Sequence, residues 1–522
     1  MEATETKRST FRAAGVVGSF TLLSRVFGFA RDMVIANFFG AAAVADAFFI
    51  AFRIPNLLRR LTAEGALSAA FIPLFAKTLK TDREEAFRLA NNLLCTLTFF
   101  LVLVVTLGIV FSPALLNVIA VGFTDEPEKF ELTVQLTRLL FPYLIFISLA
   151  AIVMGILNTL NHFAAPAASP VLLNISIILS VLLLKDIFSL PVYSLVVGVM
   201  VGGILQLGIQ IPFAVRQGFK FFFLVDLKSK LLKKVLLLTA PAVLGFAVAE
   251  INMFVDTILA SLLKEGSVSY LYYGNRLVQF PLGVFGIAMS TALLPTLSFQ
   301  AGDNDPGKMA ETISRSFRMV MLLIIPSTVG LIVMREPIIN VLFERGEFDP
   351  VSTVNTGIAL AYYSVGLLAF VGVKIFVSGF YALGDTKTPV KVASFAMVIN
   401  IALNLALMGP LEHGGLALAT SLSSFFNLAV LVVLIRKHLG KIDGFSIFKS
   451  LFLFLLASAV MAGFLFIGWD WFFPNGYTVT GLALSIVPAT MIYFAVVWIF
   501  RMDELHSIAA AVKKRFTKNN KS

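Results

Sequence analysis

Eight basic side chains lie well inside segments that are otherwise almost entirely apolar. A charged group near the middle of a bilayer costs about 2.5–3.5 kcal/mol on insertion scales, so such groups normally face a polar interior rather than lipid. Arginine can bind phosphate or pyrophosphate through two parallel hydrogen bonds. Because the acids in the same segments are fewer, the surplus suits an anionic substrate. The bases are Arg25, Arg31, Arg53, Arg59, Arg60, Arg138, Arg276 and Lys374, and the acids are Asp32, Asp46, Glu64, Glu250 and Asp256.

Helical spacing groups some of these charges. Arg25 and Asp32 are seven residues apart and share a helical face, whereas Arg31 points elsewhere. Further along, a second series repeats every seven residues and ends on an acid four residues later, although Pro55 predicts a kink within it. That series is Asp46, Arg53, Arg60 and Glu64.

Two interpretations of the buried charge remain open. Structural ion pairs would use the available acids, and Arg59 and Arg60 would reach the membrane interface if they lie near a span end. Substrate contact is the interpretation we favour for Arg25, Arg31 and Arg276. For Arg138 and Lys374 we expect structural or gating roles.

Catalytic motifs are absent from the sequence. The four histidines are far apart, and the sequence has no HExxH, Walker A, CxxC or GxSxG motif. We therefore expect a membrane transporter rather than an enzyme, with no cofactor. Its energy would come from an ion gradient, from the membrane potential or from the substrate's own gradient.

These charges must be positioned by membrane helices. The chain has 522 residues, 58% hydrophobic and 14% charged, whereas soluble domains carry about 25% charged residues. An isolated strand could not satisfy its backbone in lipid, so apolar runs of this length predict helices. We predict an all-α polytopic membrane protein with 14 transmembrane helices, at 13–37, 43–76, 89–111, 133–160, 167–184, 190–213, 235–263, 268–299, 317–334, 353–383, 388–408, 414–435, 447–468 and 477–500.

An internal repeat predicts the domain organisation. RIPNLLRRLTAEGALSAAFIP at 53–73 aligns with RLVQFPLGVFGIAMSTALLP at 276–295, and LNHFAAP at 160–166 aligns with LGDTKTP at 383–389. Each copy holds six spans, an even number, which predicts two lobes related by a parallel repeat. The predicted parts are a lobe at 1–215, a basic linker at 216–234, a second lobe at 235–437, and two final helices with a basic tail at 438–522.

Basic residues outside the spans concentrate in both tails and in the even-numbered connections. By the positive-inside rule, both termini are cytoplasmic. The net charge of +11 therefore predicts contact with anionic membrane lipids, and we expect no nucleic acid as a partner. The linker at 216–234 and the tail bases Lys513, Lys514 and Arg515 are typical of interfacial segments that contact headgroups.

Three motifs carry a resemblance to a known family. SRVFGFARD at 24–32, DAFFIAFRIPNLLRRLTAEGALSAAFIP at 46–73 and NRLVQFPLGVFGIAMSTALLP at 275–295 resemble the MviN/MurJ family of bacterial lipid II flippases. This family belongs to the multidrug/oligosaccharidyl-lipid/polysaccharide exporter superfamily. The resemblance covers nearly the whole chain, including the final pair of spans.

The resemblance implies a function and a site. Members move lipid II, an undecaprenyl-pyrophosphate-linked disaccharide-pentapeptide for peptidoglycan synthesis, from the cytoplasmic to the periplasmic leaflet of the inner membrane by alternating access. The final two spans would form a groove for the polyprenyl tail, at 447–500. Cell-wall synthesis enzymes are expected partners. Substrate contacts would be made by Arg25, Arg31, Arg59 and Arg276 with Ser24 and Asp32, and the surrounding cavity or gate would include Asp46, Arg53, Arg60 and Glu64.

A sodium site of some family members is matched only in part. Asp256, Asn400 and Thr420 resemble three of its ligands, but Asn404 stands where those members have a second acid. One carboxylate fewer weakens a site for a hard cation. We therefore expect at most a degenerate monovalent-cation site, and membrane potential or protons remain alternatives to sodium.

Three other functions compete with lipid II transport. A flippase for another polyprenyl-pyrophosphate-linked glycan would share the same physics. A multidrug/cation antiporter would use acids for cationic drugs and would usually have 12 spans. A non-transporting scaffold would have no need of the basic cluster at Arg25, Arg31 and Arg276.

Overall fold

Helices form nearly all of the regular structure in the computed structural model. The structure describes residues 2–60, 67–502 and 504–505, with side chains left undescribed at 2–14, 69 and 240–249. No strand occurs in these ranges, where the one β-bridge joins Pro474 and Gly476. The prediction of an all-α protein is confirmed.

Membrane-length apolar helices recur along the chain. Ten helical stretches of the described residues are long and apolar enough to cross a bilayer, so the protein is a multi-pass membrane protein. The other three predicted spans coincide with further helices, and their crossing of the membrane stays a prediction. These helices are Glu2–Phe39, the pair Ala43–Arg59 and Ser68–Thr81, and Lys230–Ser261.

The chain divides into two compact units, Met1–Val268 and Ser269–Ser522. In unit one, α8 packs on α1 and α9, α2 on α6, and α3 on α4, α7 and α11. The predicted linker at 216–234 lies inside this unit, because the seventh predicted span packs with the helices before it. Its helices are α1 (Glu2–Phe39), α2 (Ala43–Arg59), α3 (Ser68–Thr81), α4 (Arg83–Val110), α5 (Ser112–Ile119), the 3-10 helix Val121–Asp125, α6 (Pro127–Leu140), α7 (Tyr143–Thr159), α8 (Ala164–Leu184), α9 (Tyr193–Gly208), α10 (Gln210–Arg216) and α11 (Lys230–Ser261).

Unit two is built around α14 and α17. The first of these packs on α19, and the second packs on α13, α14 and α18. Its helices are α12 (Ser267–Pro281), the π-helix Leu282–Ile287, α13 (Ala288–Gly302), α14 (Pro306–Val333), α15 (Arg335–Phe343), α16 (Pro350–Val365), α17 (Leu367–Ala382), α18 (Lys387–Leu439), α19 (Gly444–Ile467), α20 (Trp469–Phe472) and α21 (Val479–Ile499).

Aspartates begin several of these helices. Asp82 accepts hydrogen bonds from the first-turn amides of Glu84 and Glu85 in α4, which satisfies donors that have no partner within the helix. Asp443 accepts from the amide of Ser446 at the start of α19. Hydrogen bonds from Ser446, from its side chain and its backbone, lower the pKa of the Asp443 carboxyl. The polar connections therefore end one helix and cap the next.

Several predicted spans are interrupted by breaks with identifiable causes. The predicted span 133–160 is two helices separated at Phe141 and Pro142, because proline cannot donate a helical hydrogen bond. The π-helical turn follows Pro281 directly. Glu412 has φ 49° and ψ −134°, so α18 bends there and accounts for two predicted spans.

Close approach of α8 and α9 depends on a glycine. A Cβ atom on Gly198 would lie 2.7 Å from Cα of Ile177, which is closer than a real contact allows. The carbonyl of Gly198 also accepts a 2.9 Å hydrogen bond from Ser176. Small residues let membrane helices pack backbone against backbone, so this glycine fixes the α8–α9 distance.

We predict that Gly198→Ala lowers the thermal unfolding midpoint of the purified protein, because the added methyl group forces α8 and α9 apart at a cost of about 1–3 kcal/mol. Gly208→Ala is the matched control in the same helix, since a Cβ there meets nothing within 4 Å. Thermal unfolding followed by size-exclusion chromatography in detergent compares the two. Equal midpoints for both variants would contradict the close approach.

Candidate substrate-binding site

The first candidate cluster joins α1 to α8. Arg31 donates to Oδ1 of Asp32 from Nε at 3.0 Å and from Nη2 at 2.6 Å, and from Nη1 to Oδ1 of Asn174 at 3.2 Å. Asn174 in turn donates to the carbonyl oxygen of Ser24 at 3.2 Å. Asp32 is fully buried, so the charge-assisted bonds from Arg31 offset the cost of burying the carboxylate.

Arg25 differs from Arg31. Its side chain is exposed, and the described residues offer it no hydrogen bond or ion pair. Spacing placed Arg25 on the face of Asp32, but the long side chain of Arg31 reaches that carboxylate instead. Of these two arginines, therefore, Arg25 is the more exposed.

The second candidate series forms a ladder between α2 and α11. Arg60 Nη1 lies 3.3 Å from Oε1 of Glu250, and Arg53 donates to the hydroxyl of Thr257. Both helices advance seven residues between these two contacts, so one face of α2 follows one face of α11 in the antiparallel direction. The face predicted from the seven-residue spacing therefore continues past Pro55.

At the Asp46 end of the ladder, two carboxylates each accept a hydrogen bond from a backbone amide of the other segment. Asp46 accepts from the amide of Gly266 at 2.8 Å, and Glu265 accepts from the amide of Ala43 at 2.7 Å. Lys129 on α6 lies 3.4 Å from Asp46, and the two side chains are 4% and 2% exposed. These contacts join the start of α2 to the turn after α11 and to α6.

The remaining candidates are placed as follows. Arg59 is half-buried at the end of α2, and Glu64 lies outside the described residues. Arg276 is half-buried on α12, one turn before Pro281 and the π-helix. Because Arg276 belongs to unit two and Arg25, Arg31 and Arg59 to unit one, their grouping in one cavity stays a prediction.

Two further intramembrane bases have different surroundings. Arg138 on α6 donates to Oγ of Ser112 at 3.0 Å and to the carbonyl of Ile109 at 3.3 Å, so it caps the break between α4 and α5. Lys374 is half-buried on α17, where its carbonyl oxygen accepts from Ser378 at 3.0 Å. The contacts of Arg138 are those of a structural residue.

The predicted cation ligands are divided between the units. In unit two, buried Asn400 donates to Oγ1 of Thr420 and to Oγ of Ser423, both at 3.4 Å, and accepts from Asn404 at 3.0 Å. Asp256 lies on α11 in unit one. Among the residues that the structure describes, no three His, Cys, Asp or Glu side chains are grouped as a metal site.

Sequence reasoning missed two residues that support the candidate site. Asn174 is a polar side chain inside an apolar run, a signal that was available in the sequence. Lys129 lies in a predicted connection between spans, and nothing in its position indicated burial against Asp46.

Comparison with known proteins places this arrangement in a class of membrane transporters. Residues 35–487 match the family model "Lipid II flippase MurJ". A solved structure of lipid II flippase MurJ in the inward closed conformation is 28% identical, with a TM-score of 0.80 over 93% of this chain and 98% of that chain. An inward-facing MATE family transporter of the MOP superfamily is 16% identical, with a TM-score of 0.64 over 82% of this chain and 98% of that one, and so shares the fold.

Curated relatives match over nearly the full length. "Probable lipid II flippase MurJ" of Rhizobium meliloti is 37% identical over 525 residues, 97% of each chain. "Lipid II flippase MurJ" of Burkholderia cenocepacia is 35% identical over 506 residues, 94% of this chain and 97% of the relative. This chain belongs to the lipid II flippase MurJ family, as its motifs predicted, and is a multi-pass protein of the bacterial inner membrane.

We predict that Lys129→Met destabilises the protein strongly, because it removes a buried basic partner of the buried Asp46 carboxylate, at a cost of about 3–5 kcal/mol. Lys185→Met is the matched control, since Lys185 pairs with Asp186 at 2.7 Å but that carboxylate is 81% exposed. An exposed pair contributes about 0–1 kcal/mol. Unfolding midpoints in detergent that fall equally for both variants would refute the buried pairing.

Proposed function

We propose that this protein is a transporter that moves lipid II from the cytoplasmic to the periplasmic leaflet by alternating access. The match of residues 35–487 to the lipid II flippase family, with relatives of that name over 94–97% of the chain, carries the proposal. The exposure of Arg25 in α1, a predicted membrane helix, agrees with it, since a substrate bearing pyrophosphate needs accessible cations.

In this proposal the arginines bind the pyrophosphate and their neighbours position them. Arg25, Arg31, Arg59 and Arg276 contact the phosphates. Arg31 is oriented by Asp32 and Asn174 through bonds of 2.6–3.2 Å, and Ser24 lies in the same network. Asp46, Arg53, Arg60 and Glu64 shape the cavity or its gate, supported for the first three by their contacts with α11 and the turn after it.

The proposed architecture has fourteen spans. Six spans form each of two repeated lobes, at 1–215 and 235–437, and the pair at 438–522 provides a groove for the polyprenyl tail. The basic linker at 216–234 and both termini lie in the cytoplasm, as the distribution of lysine and arginine favours. Enzymes that make or use lipid II are the expected protein partners.

Transport is best tested by depleting the native flippase in a bacterium and complementing with this chain. Lipid II in the outer leaflet is then measured for the wild type and for Arg25→Ala, Arg31→Ala and Arg276→Ala. Loss of a charge-assisted phosphate contact is worth about 1.5–3 kcal/mol, so we expect each variant to lower outward exposure by about tenfold or more.

Arg345→Ala is the control, because Arg345 is exposed and, among the described residues, donates only to the carbonyl oxygens of Val341 and Leu342 near the end of its own helix. We expect it to keep wild-type transport. A well-inserted wild type that restores no lipid II exposure would overturn the function. Variants as active as the wild type would instead overturn the assignment of the arginines and leave the function standing.

Ion coupling is proposed to involve at most a weak monovalent-cation site near Asn400 and Thr420, with Asp256 as the expected acidic ligand. Asn404 donates its amide to Asn400 at 3.0 Å, where a carboxylate would offer a cation two oxygens. The present residues therefore favour transport that does not require sodium.

We predict that Asn404→Asp creates sodium-dependent stability, because an added carboxylate strengthens binding of a hard cation and ligand binding stabilises the folded state. Thermal unfolding is compared at matched ionic strength in sodium and in choline chloride. Asn404→Leu is the control and should show no sodium effect. A wild type stabilised by sodium as strongly as Asn404→Asp would contradict the proposed weakness of the site.

A further inference from the structure

The connection between α10 and α11 is held along α4 by side chains. Residues 219–226, here called the strap, have no regular secondary structure. Asn91 donates to the carbonyl of Lys220 at 2.9 Å and accepts from the amide of Phe222 at 3.0 Å. Asn92 exchanges two 2.8 Å hydrogen bonds with the backbone of Asp226. The strap is therefore fixed at both of its ends.

The middle of the strap lies deeper along α4 than its ends. Cys95 accepts from the amide of Leu224 at 3.5 Å, and the rings of Phe223 and Phe99 form a T-shaped contact with centroids 6.1 Å apart. Phe99 is eight residues beyond Asn91, which is about 12 Å along a helix. The strap therefore runs along α4 from Asn91 towards Phe99, turns near Phe223 and runs back to Asn92.

This tip is apolar and accessible. Phe223 is 76% exposed and Phe99 is 60% exposed. Because α4 is one of the helices that are long and apolar enough to cross a membrane, an exposed apolar face of this kind is suited to contact lipid. Non-helical backbone is tolerated at membrane depth only where protein groups satisfy it, and Asn91 and Asn92, each 2% exposed, supply those groups.

Bases flank the apolar tip on both sides. Six exposed lysines and arginines lie at the end of α10, within the connection and at the start of α11, and the connection holds one exposed acid, Asp226. They are placed nearer to the polar end of α4, where Arg83 donates to the carbonyl of Gln217 at 2.6 Å. The aromatic side chains lie further along α4, as those at the acyl boundary of a bilayer would, and the bases lie nearer its polar end, as those at the headgroup layer would. The bases are Arg216, Lys220, Lys228, Lys230, Lys233 and Lys234.

We propose that the strap and its flanking bases form a docking surface for anionic phospholipids of the surrounding leaflet. The phosphates bind the lysines, while Phe223 enters the acyl boundary beside Phe99. A free phosphate ion would leave the exposed phenylalanines in water, so the geometry favours a lipid over a soluble anion. None of the residues of this surface is among those proposed to bind lipid II, so the proposal does not depend on transport.

The proposal is tested by native mass spectrometry of the full chain in neutral detergent, with phosphatidylglycerol or phosphatidylethanolamine added and no lipid II present. The strap variant combines Lys220→Gln, Lys228→Gln and Lys230→Gln. The control combines Arg436→Gln, Lys437→Gln and Lys441→Gln, which removes the same charge from exposed positions elsewhere. We expect the strap variant to bind phosphatidylglycerol about tenfold more weakly and the control to stay within about twofold of the wild type.

Two further measurements complete the test. Phe223→Ser should weaken phosphatidylglycerol binding several-fold while the unfolding midpoint without lipid stays unchanged, and this variant also serves if the triple variant is unstable. Inorganic phosphate at millimolar concentration should fail to displace the lipid. Equal losses in the strap and control variants, no preference for phosphatidylglycerol over phosphatidylethanolamine, or displacement by phosphate would each overturn the proposal.

Discussion

A bilayer cannot hydrate buried polar groups, and this constraint explains the contacts that organise the protein. Every amide, carboxylate or guanidinium held away from water needs a partner supplied by the chain. Asp32 is paired with Arg31, Asp46 with Lys129, and Asn92 satisfies both backbone groups of Asp226. Each pairing joins groups that a hydrophobic surface alone would not bring together, so the polar contacts determine which helices meet and in what register.

The same constraint separates arginines that the described residues hold through hydrogen bonds from Arg25, to which those residues offer none. Arg53 and Arg60 contact α11, and Arg138 closes the break between α4 and α5. Arg25 lies in the same unit and is exposed. A transporter for a pyrophosphate lipid requires both kinds, because fixed charges hold the framework and accessible charges bind the substrate. Arg31 joins the two, since its side chain is oriented by Asp32 and Asn174 and remains 13% exposed.

Polar side chains also hold segments that lie outside the membrane helices. In unit one, Asn91 and Asn92 hold a non-helical connection against α4 and place Phe223 beside Phe99. In unit two, buried Glu504 accepts from Arg318 at 2.8 Å and from Ser450 at 2.9 Å, which ties the segment at Glu504 to α14 and α19. Both arrangements use side chains from a membrane helix to fix a segment that is not itself part of that helix.

The sequence alone determined the helical class, the family and the charged face of α2. Length and hydropathy fix the helices, because a bilayer admits few alternatives, and a seven-residue spacing defines a face through local geometry alone. Only the tertiary structure decided the partners of those charges. Lys129 lies far along the chain from Asp46, and Arg31 rather than Arg25 reaches Asp32. Such pairings depend on how distant helices pack and on side-chain length, which no local pattern encodes.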